Sequence, residues 1–438
     1  MRLARLTALT LILLAGCQTG PDPVLVDEPL DPGVYDYPVE SALAATVVGT
    51  PAEFRAQLPM DYPVEEIHLW LQPEREVPDL LWYHERLRVS VVRQNGPAPL
   101  VFSIGGTGAD NRSRTVKIME AILAASGFHV ISLASPTHPN FVVAGSTTGV
   151  PGRVGEDVRD LYRAMQAAYA RVQSDIEVTD FYLTGYSLGG WHAAFLAELD
   201  EREQAFGFGK VLLVNPPVSL FESIAILDQM LEKSLPGGLS GVKDFFDQVF
   251  EGFSEIYTRA EFVDFSDDFL YRAYRELDPS EEKLGALIGL AFRLSANNMA
   301  FTADVMNGGG YIIPRGAQLT TSTTLTPYFK AGARAGFIDY LDDFYEPYYT
   351  SRNPGLTHED LVFEASLERI EDYLRDNEKI GMLTNADDII LGPGDLDFLE
   401  RVFGARAIVL PNGGHLGNIE HRFVVAVISK FFRSQPGS

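Results

Sequence analysis

Apolar and polar positions alternate along two early stretches, Glu66-Ile67-His68-Leu69-Trp70-Leu71 and Leu87-Arg88-Val89-Ser90-Val91-Val92. They give way to a continuous apolar run at Leu100-Val101-Phe102-Ser103-Ile104. Alternation predicts strands with one face on a core, and the continuous run predicts a strand covered on both faces. Strand-like runs at 129–133, 181–184 and 210–214 then alternate with helical patterns at 155–172 and 191–199. Such βαβα alternation with buried strands implies a parallel sheet flanked by helices. Between Asn215 and Lys379 the pattern changes to long helices without strands. Strands resume at 379–383 and 407–410, followed by a helix at 419–432. The expectation is an α/β fold: a mostly parallel twisted sheet formed by residues 44–217 and 379–438, with a large helical cap, 218–378, inserted late in it. Within that cap Phe246, Phe250, Phe253 and Tyr257 share one helix face, and Tyr345, Tyr348 and Tyr349 form a second aromatic group. Both groups are expected mainly to pack the cap against the core, with some members roofing a pocket.

Composition narrows the class. The 438 residues are 46% hydrophobic and 11% aromatic, ample for a packed core. A formal net charge of −25 argues against a nucleic-acid partner and against electrostatic docking on an anionic leaflet. The first residues differ from the rest. Arg2 and Arg5 precede a short apolar run ending in Leu14-Ala15-Gly16-Cys17, as in an export signal. The run is too short to span a bilayer. Cys17 is the only cysteine, so it has no intramolecular disulfide partner. The segment resembles a bacterial lipoprotein signal. That resemblance implies removal of residues 1–16, lipidation of Cys17, and a place in the cell envelope; Gln18, which is not Asp, points to the outer membrane. The Asp/Pro-rich stretch 17–43 reads as a flexible tether.

The strongest chemical signal is Gly185-Tyr186-Ser187-Leu188-Gly189-Gly190. A serine between glycines, preceded by a strand and followed by a helix, fits a sharp strained turn that exposes the hydroxyl. Here the chain resembles the α/β-hydrolase superfamily, over residues 85–217 and 379–435. The resemblance implies an acid and then a histidine after the nucleophile, an order met by Ser187, Asp388 and His415. His415 lies in Pro411-Asn412-Gly413-Gly414-His415-Leu416-Gly417, directly after a strand. Asp388 has a competitor in Asp387, which would otherwise bond backbone amides in the turn. His68, His84 and His129 fall in strand patterns, His192 and His421 in helices, and His138 and His358 in less regular stretches. The family's oxyanion donors map to the Leu188 amide and to the loop Gly105-Gly106-Thr107-Gly108, with Thr107 first and Gly106 second.

No dinucleotide or phosphate-loop motif and no metal-binding spacing occurs, so no cofactor or metal is implied. Asp267-Asp268 and Asp342-Asp343 are expected as solvated helix faces. The resulting expectation is a lipid-anchored serine hydrolase that cleaves a small-molecule or lipid ester through an acyl-serine intermediate. Amide hydrolysis by the same residues, and a binding lipoprotein that merely keeps the fold, remain the alternatives. Oligomeric state is not legible.

Overall fold

The computed structural model describes residues 35–234, 280–332 and 334–434. Eight strands form one sheet: β1 (Glu65–Leu69), β2 (Leu87–Val92), β3 (Ala98–Ile104), β4 (His129–Leu133), β5 (Val178–Tyr186), β6 (Lys210–Val214), β7 (Ile380–Asn385) and β8 (Ala407–Leu410). Their order is β1-β2-β4-β3-β5-β6-β7-β8. Strand β2 runs antiparallel to both neighbours, and every pairing from β4 to β8 is parallel. This is the mostly parallel sheet flanked by helices that the alternation of elements implied.

The two-residue period of a strand sorts side chains to the two faces of the sheet. Leu100, Phe102 and Ile104 point into one core, with Leu183, Leu213 and Met382. Val101, Tyr182, Leu212 and Leu383 point into the other. Helices cover both. Taken in chain order, they are α1 (Ala42–Val48), α2 (Arg114–Ala125), α3 (Val154–Val172), α4 (Leu188–Glu203), α5 (Leu220–Ser234), α6 (Glu281–Asn307), α7 (Asp395–Phe403) and α8 (Arg422–Arg433). Helices α3, α4 and α7 bury their apolar stripes against the first core, and α2 and α8 against the second. None of the described helices is long and apolar enough to cross a membrane.

Two expected boundaries need correction. The insertion does not run to residue 378. Its ends are stapled together by a bridge between Ser219 and Ser366, with Leu220 N donating to Ala365 O and Leu367 N to Val218 O. Leu367, Ile370 and Leu374 beyond that staple belong to the main core. Nor does a flexible tether extend to residue 43. The Tyr35 hydroxyl donates to Asn412 O, Tyr37 is buried, and Asp36 pairs with His421 and Arg422. Polar contacts and the packing of the Tyr35 and Tyr37 rings on His421 and Phe423 together hold this stretch down.

The insertion is docked through its aromatics. Tyr340 donates to Pro151 O and Tyr349 to Val150 O, both at 2.8–2.9 Å, while Arg153 pairs with Glu364. Tyr345 and Tyr349 are buried, so they pack the insertion onto the core. Asp342 and Asp343 are exposed, as expected of a solvated face. Phe246, Phe250, Phe253, Tyr257 and Asp267-Asp268 lie outside the described residues.

One buried group sets a pH dependence for the whole fold. Glu120 of α2 is 1% exposed, and burial pushes its carboxyl up from 4.5 to about 7, with Ser132 and Lys117 pulling back only partly. Between those values the folded state keeps a proton that the unfolded chain has released, so stability falls as pH rises through the window. Glu120→Gln should match the wild type below pH 4.5 and exceed it by up to roughly 3 kcal/mol above pH 7, at about 1.4 kcal/mol per unit. Denaturant unfolding of both proteins at pH 4.5 and 8 checks this; an equal gap at both pH values contradicts it.

Candidate active site

The parallel strands β4 and β5 lie on opposite sides of β3, so the connections after β3 diverge at the carboxyl edge of the sheet. In open α/β sheets such a divergence leaves a crevice suited to a ligand. Two loops of interest leave from there: Gly105–Gly108 after β3 and Ser187 after β5.

Ser187 ends β5 and caps α4 with φ 54° and ψ −128°, a backbone that side chains other than glycine rarely adopt. Its amide donates to Val214 O of the neighbouring strand at 2.8 Å, which pins the turn from below. The flanking glycines are required by contact. A Cβ on Gly185 would collide with the backbone of Gly189, and one on Gly189 with the carbonyl oxygens of Ile104 and Gly105. Strand, turn and helix are thereby pressed together, and the hydroxyl stands at the sheet edge.

His415 reaches that hydroxyl from the loop after β8, with Nε2 2.9 Å from Ser187 Oγ. Its Nδ1 lies 2.9 Å and 3.1 Å from the two carboxylate oxygens of Asp388, on the turn after β7. The Asp388 side chain is wholly buried and that of His415 is 15% exposed, so burial is deepest at the acid end of the relay. Asp388 is held in turn by Asn215 Nδ2 at 2.7 Å and by the Ile390 amide at 3.2 Å. Asp387 turns away and accepts from the Gly413 and Gly414 amides, at 3.2 and 2.9 Å. The neighbouring aspartates thus divide the work: one meets the imidazole and the other shapes the loop that carries it.

The Gly105–Gly108 loop lies against the nucleophile. A Cβ on Gly106 would stand 3.2 Å from Ser187 Cβ and 2.7 Å from the Tyr186 ring. Gly105 N donates to Leu133 O, Gly108 N to Thr137 Oγ1 and Ala109 N to Gly106 O. Among the described residues the Gly106 and Thr107 amides have no such acceptor. The Leu188 amide opens α4, where the first turn has no intrahelical acceptor to offer. The loop against the nucleophile and the start of α4 thus each carry a backbone amide not committed elsewhere, with Thr107 and Gly106 both open for the first position.

The other histidines are engaged elsewhere. His421 stands at the N-cap of α8, its Nδ1 accepting from Phe423 N, and not inside the helix as its sequence position implied. His84 sits in a 3-10 turn, not a strand, and burial pushes it down to about 2, so it stays neutral. His138 caps the short helix Pro139–Ala144. His192 is buried 3.8 Å from Asp157. Among the described residues, Asp342, Glu346 and His358 bring possible metal-ligand atoms within 4.8 Å of one another, but His358 Nδ1 already pairs with Glu346 at 2.7 Å on the surface. Sequence reasoning missed Asn215 and Thr46, the latter accepting the His415 amide at 2.9 Å. For Asn215 a signal existed, a polar residue at the carboxyl end of a buried strand; for Thr46 there was none.

No family model and no curated protein matches this chain. Solved structures similar to it include an esterase of Pyrobaculum calidifontis, 16% identical, with 89% of this chain and 88% of that one covered at a TM-score of 0.41. An esterase of Pyrococcus furiosus is 10% identical over 86% of this chain and 93% of its own, at 0.41. A thermostable esterase of Pseudomonas putida is 13% identical over 86% and 83%, at 0.40. Likeness at this level is one of chain path and not of chemistry.

The unequal roles of the two aspartates can be measured. If Asp388 holds the imidazole, Asp388→Asn should lower kcat on a p-nitrophenyl ester by roughly 10⁴-fold, since an amide stabilises the wrong tautomer. Asp387→Asn should cost far less, because it loosens two backbone contacts only. The reverse ranking would reassign the acid.

Proposed function

We propose that the protein is a cofactor-free serine esterase held at the bacterial envelope by a lipid on Cys17. The observation that carries the reading is the continuous relay from Asp388 through His415 to Ser187 Oγ, each step at 2.9 Å. A free serine hydroxyl is a poor nucleophile at neutral pH, so His415 Nε2 takes its proton as Oγ attacks the ester carbonyl. Asp388 keeps the Nδ1 proton facing itself and stabilises the imidazolium that forms. The developing oxyanion is met by the Leu188 amide and by that of Thr107, with Gly106 as the alternative donor. His415 then returns its proton to the departing alcohol, leaving an acyl-serine. Water attacks this intermediate with the same histidine as base and releases the acid.

Ser295 of α6 abuts Gly108, the residue after Thr107, so the insertion borders the loop beside the nucleophile. A fluorophosphonate probe should label the wild type on Ser187, whereas Ser187→Ala and His415→Ala should label poorly or not at all. Equal labelling of Ser187→Ala would sink the mechanism.

The anchor rests on the sequence. Fully extended, the stretch from Cys17 to Tyr35 reaches at most about 60 Å, which would keep the site close to a membrane surface and in reach of lipid esters. The burial of acyl chains, at roughly 0.8 kcal/mol per methylene, should hold the mature protein on membranes through a high-salt wash. Cys17→Ser should abolish incorporation of radiolabelled fatty acid. Absence of label from both forms would remove the anchor.

A further inference from the structure

The loop that carries His415 has little regular structure of its own. Gly413, Gly414 and Leu416 all have positive φ, at 144°, 56° and 65°, so the backbone on both sides of the histidine departs from any strand or helix. Such a loop needs outside partners to hold one conformation. They come from the start of the fold. The Tyr35 hydroxyl donates to Asn412 O at 2.6 Å, Asn412 Nδ2 to Val39 O at 2.9 Å, and Thr50 Oγ1 to Gly417 O at 2.9 Å. At the centre, the His415 amide donates to Thr46 Oγ1 at 2.9 Å. That hydroxyl spends its own proton on Ala42 O, one turn back along α1, at 2.7 Å. Its orientation is therefore fixed, with a lone pair left for His415.

The helix and the loop meet backbone to backbone. A Cβ on Gly414 would collide with Ala42 O and Thr46 Oγ1, and one on Gly417 with Ala45 O. The glycines flanking His415 thus serve a close helix contact as well as a turn. On its other side α1 places Val47 among Leu284 and Ile288 of α6, with Ile389, the residue after Asp388, packed alongside. One short helix touches the histidine loop, the acid turn and the insertion together.

We infer that α1 is a positioning element of the active site, and that Thr46, through the His415 amide, holds the imidazole on line between Asp388 and Ser187. This rests on the proposed roles of those three residues. Thr46 touches no reacting atom. Its effect is on where the base sits, and a displacement of the order of 1 Å in such a group is enough to cost up to about a hundredfold in rate.

Thr46→Val keeps the volume and removes the acceptor; Thr46→Ser keeps the acceptor and removes the methyl group. Two readouts distinguish the inference from the mechanism beneath it. The first is the saturation kinetics of fluorophosphonate labelling of Ser187, at a temperature well below the melting point of every variant. Thr46→Val should slow the limiting rate by about tenfold or more with half-saturation unchanged, and Thr46→Ser should restore it to within about twofold. The second is the low-field proton resonance of the His415 Nδ1–H facing Asp388, identified by its loss in His415→Ala. It should shift or broaden in Thr46→Val and return in Thr46→Ser. A Thr46→Val protein with the wild-type rate and resonance overturns the inference, as does a Thr46→Ser protein as impaired as Thr46→Val. Failure of the probe to label the wild type would instead defeat the nucleophile, and the resonance comparison would still decide the role of Thr46.

Discussion

Everything in the candidate site depends on two pieces of backbone being allowed to touch. The turn between β5 and α4 brings Gly185 against Gly189, and Gly189 against the carbonyl oxygens that end β3, with no room for a single extra carbon. That approach forces Ser187 into its left-handed backbone and lifts its side chain clear of the sheet. A conformation of this kind costs of the order of 1–3 kcal/mol and survives only where neighbours over-determine it. Here β3 and β6 do so from either side, the latter through the Val214 carbonyl.

From that fixed point the site is assembled out of loops with no strand pairing of their own at the reacting groups. Each is tied by hydrogen bonds to a neighbouring loop. Asn215 after β6 steadies the acid, Asp387 after β7 steadies the histidine loop, and Thr137 after β4 steadies the loop beside the nucleophile. Asn385 and Asn418 add a buried amide pair beneath Gly414. Networks of this type are costly when half made, because a buried donor without an acceptor keeps its full desolvation penalty. Rigidity at the edge of the sheet is bought by completeness.

The strands were legible because the outer ones, such as Leu87 to Val92, alternate at the period of a pleated sheet, and the inner ones, such as Lys210 to Val214, are short continuous apolar runs set between helical patterns. Ser187 and His415 were legible because their chemistry comes with glycines at fixed spacing. Asp388 could be separated from Asp387 only by a spelling rule, since both are short acids in one turn and differ in the direction they face. The end of the insertion was misjudged because the helical pattern from Leu367 to Asp376 is the same whether it packs on the cap or on the core. Residues 35–43 were misjudged for a related reason. Their attachments are isolated polar and ring contacts to residues several hundred positions away, such as Asp36 to His421 and Tyr35 to Phe423, and contacts of that kind leave no periodicity in a sequence.

The seat of α1 on the histidine loop joins the opening of the fold to its close. A chain leaving a ribosome, or threading through a membrane, offers its N-terminal end first, and α1 then has nothing to lie on until β8 and the loop after it arrive. So distant a contact is among the slowest for a folding chain to find. A nascent or C-terminally clipped molecule would carry a well-turned serine without its base, and an N-terminally clipped one a base without its brace. On the proposed mechanism the base arrives with the last strand and its brace with the first helix, so full activity waits on the pairing of the two ends of the fold.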